Sequence, residues 1–351
     1  MLHNGAWLNG TQGAGLGCAV ILFMLTACSG TVWNNPYPAA DSNKNILYAS
    51  FRERPKHLDP GRSYSSDEYT FIAQIYEPPL QYHYLRRPYE LVPLTVEAVP
   101  VPMYVDANGD RLPASAAAEK IAYTIYELKV RKGIYYQPHP ALAQYENGQP
   151  RYLELQEGDL ESVFSLGDFS HVGSRELVAA DYVNQIKRLA HPQLHSPIFG
   201  LMSEYIVGLK ELAASLDKEY QRRRAASGRE EVYLDLTEWS LQGAQAVDRY
   251  TFRIMVRGKY PQMVFWLAMP FFAPMPPEAD RFYSQPGLHA RNISLDWFPI
   301  GTGPYMLTVN NPNRQMILER NPNFHGEPYP ADGEPGDREQ QLLVDAGKTL
   351  Q

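Results

Sequence analysis

The chain is sparing with side chains that do covalent chemistry. Its 351 residues hold two cysteines, Cys18 and Cys28, and nine histidines. His191 and His195 have the i, i+4 spacing that, on a helix, would aim two imidazoles at one metal ion. Pro192 follows the first and no acidic partner is spaced with them, so a loop pair is expected and no metal. Asp106, Asn108 and Asp110 alternate as a calcium loop does. Glycine is missing from the sixth position and glutamate from the last, so the run reads as a turn around Gly109. Arg222-Arg223-Arg224 could meet a phosphate. Followed by Ala-Ala-Ser-Gly and Glu230-Glu231, it reads instead as a solvated helix end. The G-x-S-x-G elbow, the H-E-x-x-H helix and the phosphate-cradling G-x-x-x-x-G-K-[ST] loop are absent. No catalytic residue and no cofactor is therefore assigned, and a hydrolase built from scattered Ser, His and Asp stays a third alternative.

Bulk properties narrow the class. A net charge of −7 argues against a nucleic-acid surface, which would be basic. Hydrophobic residues at 44% can fill a substantial core, and the length allows about two domains. The 24 tyrosines and 29 prolines suit a loop-rich protein that engages something through ring faces. They suit equally a large α/β core with long surface loops.

The N-terminus addresses the compartment. Residues 19–25 are wholly apolar and too short to span a bilayer. Leu25-Thr26-Ala27-Cys28 resembles the bacterial lipobox, in which the chain is cut before a cysteine whose sulfur takes a diacylglyceryl group. That resemblance implies a signal peptide over 1–27, lipidation of Cys28, a membrane anchor through it, and a polar tether over 28–44. Residues 1–17 depart from the pattern, with no Lys or Arg; a buried N-terminal strand is the alternative. Ser29 is similar to the residue that directs such proteins to the outer membrane. Processing would remove Cys18 and leave no thiol for a disulfide or a zinc site.

The elements that must position a site follow from periodicity. Residues 46–51 read as a first strand. Residues 66–77 read as a helix with Tyr69, Ile72, Ala73 and Tyr76 on one face, capped by Ser65 or Ser66 and stopped by Pro78-Pro79. Residues 121–130 alternate with a slip near Tyr126, which predicts a bulged strand. Residues 174–189 are helical, and 203–220 form one long helix through Tyr205, Leu209, Leu212, Leu216 and Tyr220. Residues 250–256 alternate as a half-buried strand. Residues 263–269 are a core segment, 306–309 and 316–318 flank a hairpin turn, and 327–338 are loop-like. The fold class is mixed α/β (α+β). Consecutive strands without a helix between them make a purely parallel sheet untenable.

Six landmarks, in order, carry a family resemblance. They are Leu58-Asp59-Pro60; Ile75-Tyr76-Glu77-Pro78-Pro79-Leu80 with Leu91-Val92-Pro93-Leu94; Val130-Arg131-Lys132-Gly133-Ile134; the run 180–189; Val247-Asp248-Arg249-Tyr250-Thr251-Phe252; and Gly301-Thr302-Gly303-Pro304-Tyr305 with Glu319-Arg320-Asn321-Pro322-Asn323-Phe324. Together they resemble the bacterial extracellular solute-binding proteins of family 5, the oligopeptide- and dipeptide-binding lipoproteins of ABC importers. The resemblance implies a periplasmic-binding-protein-like (type II) lobe, a mixed sheet with flanking helices, over residues 45–326. It implies that 327–351 lead toward a second lobe beyond Gln351, so the lobe is expected to be incomplete. Asp181 would cap a helix start where Val178 cannot, and Gly301 and Gly303 would permit a tight turn before Pro304. By the same resemblance Phe51, Arg52, Glu53 and Tyr64 are the ligand-binding candidates, with Arg52 suited to a ligand carboxylate. The implied function is capture of peptides or related small solutes by lobe closure, handed to ABC permease subunits in the periplasm, with no nucleic acid involved. A scaffold or sensory lipoprotein on the same fold, or a fragment that binds nothing, are the alternatives.

Overall fold

A computed structural model describes residues 39–41, 43–228, 232–338 and 340–349. The lipobox, Cys18 and Cys28 lie outside the described residues. The chain divides into two units, Met1–Phe51 and Arg52–Gln351. In the first, Ala39–Asp41 make one 3-10 turn, with Lys44 Nζ 2.7 Å from Asp41 Oδ1. Residues 46–51, expected as a strand, form none. Leu47 is 93% exposed and Ile46 and Tyr48 are exposed too, so the run has no buried side to define a pleated face.

In the second unit a five-stranded sheet has the order β4-β3-β5-β7-β6. Its strands are β3 (Met103–Val105), β4 (Arg111–Leu112), β5 (Tyr123–Lys129), β6 (Ala244–Ala246) and β7 (Thr251–Arg257). All its pairings are antiparallel, in keeping with strands that follow one another without a helix. Phe252, Ile254 and Val256 of β7 are buried, as their alternation requires. The bulge expected in β5 is not there: pairing runs unbroken from Tyr123↔Arg257 to Lys129↔Thr251. Thr124, Tyr126, Leu128 and then Val130 form one continuous buried row, while Tyr123 and Ile125 are half-buried on the opposite face. The run Asp106–Asp110 is the β3–β4 turn, where Asp106 Oδ1 accepts from Asn108 N at 2.8 Å and Asp110 N at 2.9 Å. Two further pairs stand apart, β1 (Leu80–Tyr82) with β2 (Leu91–Pro93), and β8 (Tyr305–Asn311) with β9 (Gln315–Arg320), the expected hairpin.

Helix α1 (Ser66–Ile75) is started by Ser65, whose hydroxyl accepts from Glu68 N at 3.1 Å. Its buried face is Glu68, Phe71, Ile72 and Ile75. Tyr69, expected inside, is 52% exposed. Helix α2 (Ala179–Arg188) packs on β6 and β7, with Tyr182 stacked on Phe252 at 4.7 Å between ring centroids. Val178 offers no cap, and the Asp181 carboxylate takes its backbone N–H at 3.1 Å instead. Arg175 forks onto Asp181 at 2.7 and 2.8 Å and reaches Glu278 at 2.7 Å. Glu278 belongs to helix α6 (Pro277–Tyr283), so this fork ties the start of α2 to that helix.

The single helix expected at 203–220 is two, α3 (Phe199–Tyr205) and α4 (Leu209–Ser227). Between them Ile206 bridges Val256, Val207 N donates to Met255 O at 3.1 Å, and Gly208 takes φ 82°. The sheet margin claims those backbone groups, and the glycine absorbs the turn. Residues 263–269 open with the short helix α5 (Met263–Trp266). Among the described residues no helix is long and apolar enough to cross a membrane.

Candidate functional site

The stretch from Lys56 to Ser65 is wrapped around one carboxylate. Glu68 Oε1 accepts from the backbone N–H of Lys56 and of His57, both at 2.9 Å. Its Oε2 accepts from the Ser63 hydroxyl at 2.9 Å and from Tyr64 N and Ser65 N at 3.3 and 3.4 Å. Burial alone would raise this acid. The hydrogen bonds from His57, Ser63, Lys56 and Ser65 outweigh it and hold Glu68 below the usual glutamate range. A loop whose backbone donors converge on one anion in the first turn of a helix keeps its shape before any ligand arrives.

A second fastening lies beneath. Asp59 binds Arg188 through both oxygens, at 3.1 and 2.6 Å, and Arg188 Nε donates to Asp280 at 2.7 Å. Gln185 Oε1 accepts from Arg188 at 2.9 Å, and Asn184 donates to Asp280 at 2.8 Å. Burial opposes the charge on Arg188, but the two carboxylates overcome it and raise its affinity for the proton. Burial raises Asp280 more than Arg188 and Asn184 lower it. Asp296, from the segment after α6, takes Arg62 at 2.6 Å and the Asp59 N–H at 3.3 Å, with His57 Nδ1 also 3.3 Å away.

Of the residues singled out beforehand, Phe51 ends the first unit and is half-buried. Arg52 and Glu53 open the second unit, exposed, with no hydrogen bond or ion pair to any described residue. Tyr64 is 74% exposed and rests on buried Phe271 at 6.0 Å between centroids. No hydrogen bond or ion pair joins Arg52, Glu53 and Tyr64 to one another; Tyr64 lies in the Glu68-held loop, and Arg52 and Glu53 precede it. Sequence reasoning missed Glu68, Arg62 and Asp296. The Ser65-x-x-Glu68 capping box was a usable signal for the first; nothing local marks Asp296 as the partner of a loop more than two hundred residues earlier.

His191 and His195 lie in the loop after α2, with His195 at φ 52°. Burial, with the Arg188 charge, pushes His191 down to about 4. Among the described residues no group of three or more His, Cys, Asp or Glu could hold a metal ion.

One histidine is tuned the other way. His325 Nε2 sits 2.9 Å from Glu77 Oε1, both largely buried. Burial disfavours its charge, but the hydrogen bond and charge of Glu77 outweigh that and raise His325 above the ordinary range. The folded state thus holds this proton more tightly than the unfolded chain. The contribution is complete below about pH 6 and is lost as pH rises through the raised value. We expect stability to fall in urea titrations as pH rises above about 6, and His325→Gln to flatten that slope. An unchanged slope in the variant would remove His325 as its source.

A family model described as bacterial extracellular solute-binding proteins, family 5 Middle, matches residues 164–334. No curated protein sequence matches the chain. Among solved structures it is similar to Listeria monocytogenes OppA bound to peptide, at 13% identity and TM-score 0.44, covering 77% of this chain and 37% of that one. It is similar also to a periplasmic oligopeptide-binding protein, OppAIV, from Borrelia burgdorferi, at 14% identity and TM-score 0.47, covering 78% and 38%. The DppA of Helicobacter pylori in complex with peptide STSA gives 16% identity and TM-score 0.43, covering 83% and 43%. The chain thus spans less than half the length of these solved chains.

Proposed function

We propose that this chain, which belongs to the bacterial extracellular solute-binding proteins of family 5, is a ligand-capturing portion of a peptide-type binding protein that serves an ABC importer. The family match over residues 164–334 is the observation that carries this reading. The loop held by Glu68 supports it, because a pre-shaped backbone bearing exposed Tyr64, with Arg52 and Glu53 just before it, lowers the ordering cost of capture. Arg52 pairs with a peptide's terminal carboxylate, and Tyr64, braced by Phe271, offers a ring face. Closure of a second lobe over this surface completes the burial of the ligand, and permease subunits read the closed state. Cys28 carries a lipid that tethers the protein at the periplasmic face of a membrane.

Calorimetric titration with short peptides tests this. Arg52→Ala should weaken peptides with a free C-terminal carboxylate by about tenfold and leave C-terminally amidated peptides unchanged. Absence of peptide binding would overturn the reading in favour of a scaffold on the same fold.

A further inference from the structure

Below the Arg62–Asp296 pair lies a cavity of about 280 Å³. Exposed Gln193, Ser284 and His289 line it where it meets solvent. Its lining carries three carboxylates, Asp59, Asp280 and Asp296, against two guanidiniums, Arg62 and Arg188. Leu194, Leu234, Leu236 and Leu295 supply apolar wall, and Tyr220 and Tyr233 supply rings.

The carboxylates are not equivalent. Asp59 and Asp280 are tied to Arg188, whose side chain is only 8% exposed and has nowhere else to go. Asp296 is held by Arg62 and His57, whose side chains are 33% and 37% exposed. Arg62 uses a single nitrogen for the contact. The Asp59 N–H meanwhile keeps the other Asp296 oxygen in place. Asp296 is thus a positioned acceptor at a cavity wall whose guanidinium partner, Arg62, is exposed enough to be exchanged.

We propose that this cavity is a binding site for a small primary ammonium compound, with Asp296 accepting the ammonium head and the leucine and tyrosine walls enclosing a short apolar tail. The ligand's ammonium takes the place of the Arg62 guanidinium, which swings toward solvent. The ligand's ammonium replaces the positive charge that Arg62 carries out of the cavity, so Asp296 keeps a cationic partner, and the volume suits a molecule of a few heavy atoms rather than a peptide. None of Arg52, Glu53 or Tyr64 serves as a ligand contact in this cavity.

Arg62 makes the test specific, because removing an internal competitor should strengthen binding. Calorimetry on the full chain would use propylammonium, with propanol and acetate as neutral and anionic controls. The expected result is millimolar-range binding of propylammonium alone. Arg62→Ala should tighten it about two- to fivefold, the worth of a partly exposed ion pair. Asp296→Asn should weaken it at least about tenfold, the loss of one charge-assisted hydrogen bond. Thermal unfolding of both variants establishes that they fold. If Asp296→Asn unfolds, the Arg62→Ala titration alone decides. Propylammonium binding no better than propanol in both wild type and Arg62→Ala, or binding that Asp296→Asn leaves unchanged in a folded protein, would overturn the proposal.

Discussion

Arg188→Ala should lower the free energy of unfolding by about 3–5 kcal/mol, read as a fall in the urea midpoint. The residue ends α2 and joins it to both the Leu58-Asp59-Pro60 loop and α6. Removing the guanidinium strands two carboxylates whose side chains are only 6% and 20% exposed. Asp59 keeps only the Gly61 N–H at 2.8 Å, and Asp280 only the Asn184 amide. The cost is therefore mostly that of buried charge without a partner, beyond the packing that is lost. Those acids escape by taking up protons, so their folded pKa values should rise above the unfolded ones. The variant then binds more protons folded than unfolded, and its deficit should shrink as pH falls toward about 4. A deficit independent of pH would assign the loss to packing. Replacing Asp59, Arg188 and Asp280 together by apolar residues of matched volume should cost far less than the single change.

What could be seen in advance divides along the range of the interaction that decides it. Strand β7 and the β8–β9 hairpin were legible because alternation and an Asn-Asn-Pro-Asn turn are written in adjacent residues. The start of α1 was legible for the same reason, through Ser65. The interruption between α3 and α4 was not. Leu209, Leu212, Leu216 and Tyr220 keep helical spacing with Tyr205, and the helix is broken by the pairing of Ile206 and Val207 with the distant Met255 and Val256, with Gly208 taking the turn. Residues 46–51 show the converse, a strand-like pattern with no buried face to make it a strand. The α1 face was misjudged because Glu68, a charged residue, is buried and Tyr69, an aromatic one, is not; loop hydrogen bonds repay the burial of the acid. The candidate surface was legible only by resemblance: Tyr64 sits on a loop that Glu68 and Asp296 hold, with Arg52 and Glu53 just before it. Asp296 has no local signature, since its meaning lies in Arg62 and Asp59.

Gly301→Ala should be more damaging still, enough to leave little folded protein in a thermal melt. The expected reason for glycine here was freedom to turn before Pro304, yet neither Gly301 nor Gly303 lies at positive φ. The structural reason is crowding against the end of α1. A Cβ on Gly301 would fall 1.9 Å from Ile75 O and 2.7 Å from Ile75 C. On Gly303 it would fall 2.7 Å from the carbonyl oxygens of both Gln74 and Ile75. Those atoms are backbone and cannot rotate aside, whereas overpacking against side chains is relieved by rotamer change at a cost of about 1–3 kcal/mol. The close approach does work that an alanine would abolish. Gly303 N donates to Ile75 O at 2.8 Å, satisfying a carbonyl that the helix end leaves open. Gln137 clasps Gly301 from the other side, N to O at 2.9 Å and Oε1 to N at 3.2 Å. Gly208 is the control. It does need positive φ, but its added Cβ would meet nothing nearer than 3.5 Å, so Gly208→Ala should cost only the left-handed backbone strain, about 1–2 kcal/mol. The expected order of damage is Gly301→Ala, then Gly303→Ala, then Gly208→Ala. A Gly301→Ala protein that melts like wild type would show that the segment before β8 does not cross the end of α1 at this distance.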